Sequence, residues 1–261
     1  MDIAVNLEWL FDEAGSTADR IRAAHAAGVS AVEIWSWRDK DLPGIKDALA
    51  ETGLRLVTMI VDPQLQITDP ATHADYIEAV RDSAATAADL RVPFIVAVTG
   101  DERLGLSRAS QHAAVVAVLQ RAAQVLEATG VVLLLENLND RVDHPGTYLT
   151  SVGEALDIVR EVNSPFVRLL LDAYHSIMMG HDLTELTTED VALIGHVQIA
   201  DVPGRHEPGS GTVDWTQVIA ILRARGYQGM IGLECLPTVS TAEALKAMLS
   251  VIGGPNPISL S

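Results

Sequence analysis

Short apolar runs alternate with longer, alanine-rich amphipathic stretches from one end of the chain to the other. The runs occupy residues 3–7, 31–35, 54–60, 93–98, 131–136, 167–172, 194–200 and 230–236. Runs of this length read as buried strands, while the segments between them carry helical spacing. Ile21, Ala24 and Gly28 show that spacing, as do Val115, Val118, Leu119, Ala122 and Leu126. Helix starts are marked by Ser16-Thr17 with Asp19, by Ser107, and by Thr241-Ala242-Glu243 before the last helix. Gly28, Gly53, Gly130 and Gly226 stand where a helix has to end just ahead of a strand, a position that favours left-handed backbone. Eight strands alternating with helices specify a parallel sheet. A doubly wound sheet would carry a G-x-G-x-x-G or G-x-x-x-x-G-K-[ST] loop after its first strand, and this chain has none there. The pattern therefore predicts an α/β fold, a single (β/α)8 TIM barrel spanning residues 1–261 as one domain. The longest polar, Gly/Pro-rich connection, 201–214, follows the seventh strand, and loops at that end of a barrel carry active sites. Residues 253–261 form a short low-complexity tail.

Composition narrows the chemistry. The chain has 261 residues, 48% of them hydrophobic but only 4% aromatic, so the core must be built mostly from Ala, Val, Leu and Ile. Its 35 acidic residues against 18 basic ones give a formal charge of -17. Binding a phosphate backbone or an anionic membrane needs clustered Lys and Arg, so neither nucleic acid nor a membrane surface is an expected partner. The one cysteine, Cys235, cannot form an intramolecular disulfide or by itself a thiolate metal site. Out of phase with Glu234, it is expected to face the helices. No apolar run reaches the ~18 residues of a membrane span, and residues 1–12 lack the features of a signal peptide. A soluble, cytoplasmic protein is the expectation.

The last four strands each end on a residue able to bind a hard cation: Glu136, Asp172, Gln198 and Glu234, spaced by 36, 26 and 36 residues. Alternation along a strand puts Glu136 on the face of Leu134 and Val132, and Glu234 on that of Gly232 and Met230. Four such groups converge at the barrel mouth, where uncompensated carboxylates would cost several kcal/mol each. Few basic residues lie on these strands, which points to a bound divalent cation. All-oxygen ligands favour Mg²⁺ or Mn²⁺ over Zn²⁺. His175, three residues beyond Asp172, and the loop residues Arg205 and His206 are candidate substrate contacts. Asn139, Arg141, Asp143 and His144 continue the polar rim, and His196, one layer below Gln198, reads as a buried support. Trp35 and Trp37 end the second strand, placed either to stack on a substrate or to pack beneath a loop.

The segment Gly195-His-Val-Gln-Ile-Ala-Asp-Val-Pro-Gly-Arg-His-Glu-Pro-Gly-Ser-Gly211 closely resembles the hydroxypyruvate isomerase family, within the xylose isomerase-like TIM barrel superfamily. Leu-Leu-Glu136-Asn-Leu-Asn139, Leu-Asp172-Ala-Tyr-His175 and Gly-Leu-Glu234 match its other strand-end motifs in order. The match lies mainly between residues 131 and 237. Earlier it rests on barrel periodicity, Asn6-Leu7 and Val32-Glu33-Ile34. The resemblance implies that Glu136, Asp172, Gln198 and Glu234 hold one divalent ion, Mn²⁺ or Mg²⁺, and that Glu136 and Glu234 form the acid/base pair. It implies isomerisation of a small α-hydroxy carbonyl acid or sugar through an ene-diolate, with hydroxypyruvate to tartronate semialdehyde as the type reaction. Departures from the family leave the substrate open: Asn-Leu-Asn follows Glu136 where Pro-Ile-Asn is usual, and Trp35-Ser36-Trp37 replaces Phe-Pro-Tyr. The alternative is a ketose epimerase, dehydratase or lyase acting on a larger keto-sugar or sugar conjugate with the same metal site. Val142 stands where 3-epimerases carry a Glu, which counts against epimerisation. An endonuclease IV-type activity is disfavoured by the charge. A non-catalytic barrel and a homo-oligomer built through the helical exterior stay open.

Overall fold

A computed structural model describes residues 3–252, so the tail at 253–261 lies outside the described residues. All eight expected runs form strands: β1 (Ile3–Asn6), β2 (Ala31–Glu33), β3 (Arg55–Ile60), β4 (Phe94–Ala97), β5 (Val132–Glu136), β6 (Val167–Asp172), β7 (Ile194–Ile199) and β8 (Ile231–Leu233). They pair in parallel in chain order, and β8 closes on β1. The first five helices are α1 (Thr17–Ala26), α2 (Leu42–Thr52), α3 (His73–Leu90), α4 (Arg108–Leu126) and α5 (Val152–Val162). The β6–β7 crossover carries only the short α6 (Ala173–Met178) and α7 (Thr188–Val191), before α8 (Trp215–Ala224) and α9 (Thr241–Ile252).

Local signals account for these boundaries. The Ser16 and Ser107 hydroxyls accept from the amides of Asp19 and Ser110, capping α1 and α4. At α9 the expected cap is displaced by one residue. Ser240 accepts from the Glu243 amide, while the Thr241 hydroxyl accepts from the Phe11 amide and ties the helix to the loop after β1. Gly28, Gly53, Gly130 and Gly226 all adopt the left-handed backbone their positions call for.

Alternation along the strands divides the apolar residues between two places. Val5, Val32, Ile95, Leu133, Leu135, Leu169, Leu171, Val197 and Leu233 pack outward against the helices, and Cys235 is buried in the same layer, as its phase predicts. Inside the barrel, Ala4, Ala31, Val57 and Met230 make one small cluster. Val96, Leu134 and Leu170, with Ile60, Phe94 and Val132, make a second along β3–β6. The rest of the lumen, on β7, β1 and β2, is polar: His196, Gln198, Asn6 and Glu33 are all buried there.

The strand register sets the heights of the four strand-end residues. Glu136 pairs with Leu170, two positions short of Asp172; Asp172 pairs with Gln198; Gln198 pairs with Gly232, two short of Glu234. In a tilted barrel of shear 8, residues at one height advance by about one position per strand. The observed offsets therefore bring all four to a common level at the mouth.

Candidate active site

A cleft of about 480 Å³ opens at this level, lined by Glu136, Glu234, His175 and Arg205 and walled by Trp9 and Trp35. A larger groove of about 630 Å³ lies outside, between α2 and α3, where Lys46 is paired with Asp89. It brings no carboxylate cluster together, so the chemistry belongs to the mouth.

Each strand-end residue arrives differently. Asp172 caps α6, its Oδ1 accepting from the His175 amide at 2.9 Å, which leaves Oδ2 toward the lumen. Gln198 donates from Nε2 to Glu33 Oε2 at 2.7 Å, and its Oε1 is buried with no partner among the described residues. Glu234 accepts from Asn6 Nδ2 at 3.3 Å and from Arg205 Nη2 at 2.5 Å. Glu136 receives no hydrogen bond among the described residues. Ligand atoms of Glu136, Asp172 and His175 lie within 4.8 Å of one another.

The sequence shows few basic residues on these strands, and the structure amends the inference drawn from that. Arg205 enters from the loop after β7, buried, with Nη2 also 3.6 Å from Asp172 Oδ2. One guanidinium faces three carboxylates, so negative charge remains in excess. Burial pushes the Glu136 carboxyl well above its usual range, and the charges of Glu234 and Asp172 push it further. Burial likewise raises Asp172 to about 6 and Glu234 to about 7, in both cases against the pull of Arg205. An open carboxylate, an unpartnered amide oxygen and two further carboxylates make an oxygen-rich donor set that fits a divalent cation.

His175 raises the question of whether it joins that donor set. Asn139 answers it. The Asn139 Oδ1 accepts from the Val142 and Asp143 amides at 3.0 and 3.1 Å, which turns its Nδ2 toward His175 Nδ1, 2.6 Å away. Nδ1 is thus an acceptor, and the neutral ring carries its proton on Nε2. Burial, with Arg205 and His144 nearby, lowers the ring's pKa to about 2, so it stays neutral. The buried Nε2 has no hydrogen-bond partner among the described residues. A protonated ring nitrogen donates a hydrogen bond and cannot ligate a metal. His175 therefore fits a substrate contact better than a fifth ligand.

The loop after β7 is stitched by its own polar groups. Asp201 accepts from the amides of Val202 and Val213 through Oδ1 and of Gly209 through Oδ2. Gly211 has to be glycine, since a Cβ there would stand 2.2 Å from the Val202 carbonyl. This frame holds Arg205 in a left-handed conformation, with its guanidinium between the Trp9 and Tyr174 rings. His206 does not line the cleft: its Nδ1 meets the Leu236 carbonyl at 2.8 Å and joins this loop to the one after β8. Of the two rim indoles, Trp35 lines the cleft. Trp37 is packed inside, donating to Ser83. Trp9, which sequence reading passes over, takes the second aromatic place, edge-to-face with Trp35. Glu33 was visible only as part of a strand motif. His196 is the buried support expected, 2.5 Å from Glu33.

A sequence model of the xylose isomerase-like TIM barrel family matches residues 21–251. A human protein named putative hydroxypyruvate isomerase is 33% identical over 260 residues, covering 95% of this chain and 94% of its own. Hydroxypyruvate isomerase of Escherichia coli K12 is 29% identical over 256 residues, covering 94% and 97%. A crystal structure titled AP endonuclease, family 2, from Brucella melitensis superposes with a TM-score of 0.88 at 30% identity, covering 95% of this chain and 98% of that one. On this evidence of sequence and fold together, the chain belongs to the xylose isomerase-like TIM barrel family, with relatives named hydroxypyruvate isomerase matching it over nearly its full length.

Proposed function

We propose that this chain is an isomerase of a small α-hydroxy carbonyl acid, interconverting hydroxypyruvate and tartronate semialdehyde with one bound Mn²⁺ or Mg²⁺. The observation that carries this reading is the pair Glu136 and Glu234, two carboxylates lining one cleft beside Asp172 and an unpartnered Gln198 oxygen. Glu136, Asp172, Gln198 and Glu234 would hold the ion. When bound, it supplies Lewis acidity to the α-hydroxy carbonyl group and makes the neighbouring C–H acidic.

The side chains do the rest. One of the two glutamates takes the proton from the hydroxymethylene carbon, and the other delivers a proton to the former carbonyl carbon. A hydroxyl proton passes between the two oxygens in the same direction, so the product is an isomer and no other reactant is needed. The His175 Nε2–H donates to a substrate oxygen. Arg205, fixed between Trp9 and Tyr174, offers its remaining N–H groups to the substrate carboxylate. A chain of charge -17 with a carboxylate-lined cleft supports a small-molecule partner over nucleic acid.

A second reading keeps the same site and enlarges the substrate. A cleft of about 480 Å³ with two indoles in its wall has room for more than a three-carbon acid, which favours a keto-sugar epimerase, dehydratase or lyase. Incubating purified protein with Mn²⁺ and hydroxypyruvate in D₂O separates the two. Deuterium in recovered substrate, together with tartronate semialdehyde, supports the first reading. Neither exchange nor turnover leaves the second.

A further inference from the structure

Glu33 ends β2 and is fully enclosed, 0% exposed. It is not itself among the residues lining the cleft, and it contacts two residues of β7: Oε2 accepts from Gln198 Nε2 at 2.7 Å, and Oε1 lies 2.5 Å from His196 Nε2. A carboxylate offers acceptors only, whereas a primary amide offers donors at one end and an acceptor at the other. Gln198 can therefore meet Glu33 in one orientation, nitrogen toward the carboxylate and oxygen away. That oxygen is the buried atom without a partner, on the lumen face of a residue paired directly with Asp172. Turned the other way, the amide would aim two N–H groups at the carboxylate cluster and repel any cation there.

The pair also has space reserved for it. Gly232 lies beside Gln198 in the β7–β8 register, and a Cβ there would stand 2.3 Å from Glu33 Oε1 and 3.0 Å from His196 Nε2. With His196 on one oxygen and Gln198 on the other, both oxygens of the Glu33 carboxylate are engaged.

We propose that Glu33 is a positioning residue for the cation site, fixing the Gln198 amide so that its oxygen faces the mouth. The inference rests on the cation reading of that site. It is tested by titrating Mn²⁺ into chelator-stripped full-length protein by calorimetry, for wild type, Glu33→Gln, Gln198→Ala and the double variant. Wild type should bind one ion. Glu33→Gln should weaken binding about 10- to 100-fold, the range seen when such outer partners of a metal site are lost, and Glu33→Asp should recover part of it. In the Gln198→Ala background Glu33→Gln should add less than about twofold, because the two substitutions remove the same interaction. Wild-type affinity in folded Glu33→Gln, or an undiminished loss in the Gln198→Ala background, would overturn the inference alone. No binding by wild type would overturn the cation reading and the inference with it. Should Glu33→Gln not fold, a crystal structure of the wild-type Mn²⁺ complex decides. Gln198 Oε1 on the metal with Nε2 on Glu33 supports the assignment, and Gln198 outside the coordination shell overturns it.

Discussion

Glu33 and Glu136 end strands on different sides of one barrel lumen, and their surroundings differ in one respect. Glu33 has both oxygens engaged, by His196 and by Gln198. Glu136, nearer the opening, receives no hydrogen bond among the described residues and faces two further carboxylates, with Arg205 supplying one positive charge. A buried charge that is fully bonded belongs to the architecture, since removing a partner strands the rest. A charge left open at considerable energetic cost is held for something that arrives later. The difference separates framework from chemistry within a single layer of side chains.

The comparison can be broken at several points. Glu136→Gln should lower kcat about 10³-fold, within the range for loss of a general acid or base. It should also leave the Tm of the metal-free protein unchanged or raised, because it removes an unpaired charge. A lowered Tm by calorimetry would place Glu136 in the framework instead. On the apolar side of the lumen, Leu134→Ala should cost about 2–5 kcal/mol of stability by denaturant titration, with Mn²⁺ affinity close to wild type. Asn139→Asp replaces the donor on His175 Nδ1 by an acceptor and should move the ring proton to Nδ1. A loss of about 10²- to 10³-fold in kcat is expected, the range for losing one preorganised donor to a reacting oxygen, and ¹⁵N chemical shifts of the ring report the tautomer directly. Glu33→Gln should lower stability by about 1–3 kcal/mol, because its single amide oxygen, kept by His196, leaves an N–H facing the buried Gln198 amide donor. The smallest effect belongs to His206→Ala, which should change kcat/KM less than about twofold, since that ring bonds a backbone carbonyl outside the cleft.

Much of the barrel is legible from periodicity because each strand is short, apolar and followed by a helix with its own start and stop signals. The four strand-end residues are legible for the same reason: a polar group breaking an apolar run at its last position is visible without any tertiary information. What escapes is whatever depends on contacts across the lumen. Glu33 and Gln198 are 165 positions apart, and nothing local distinguishes Glu33 from any acidic residue ending a strand. Arg205 and His206 are adjacent in a polar loop, and only the left-handed backbone at Arg205, framed by Asp201, sends one side chain into the mouth and the other to Leu236. Trp35 and Trp37 look equivalent as rim indoles, but one reaches the cleft and the other packs against α3 through Ser83. The Thr241 signal fails by one residue because the Phe11 amide, distant in sequence, takes the hydroxyl a helix cap would use.

The most direct test of the mouth as a cation site is a crystal structure of the protein grown with Mn²⁺, with anomalous data collected at the manganese edge. One strong peak bonded to carboxylate oxygens of Glu136, Asp172 and Glu234 and to Oε1 of Gln198 is expected, with His175 Nε2 outside the coordination shell and facing the open cleft. No peak at the mouth, or an ion held by Glu136, Asp172 and a His175 ring nitrogen with Gln198 and Glu234 apart from it, would contradict the assignment.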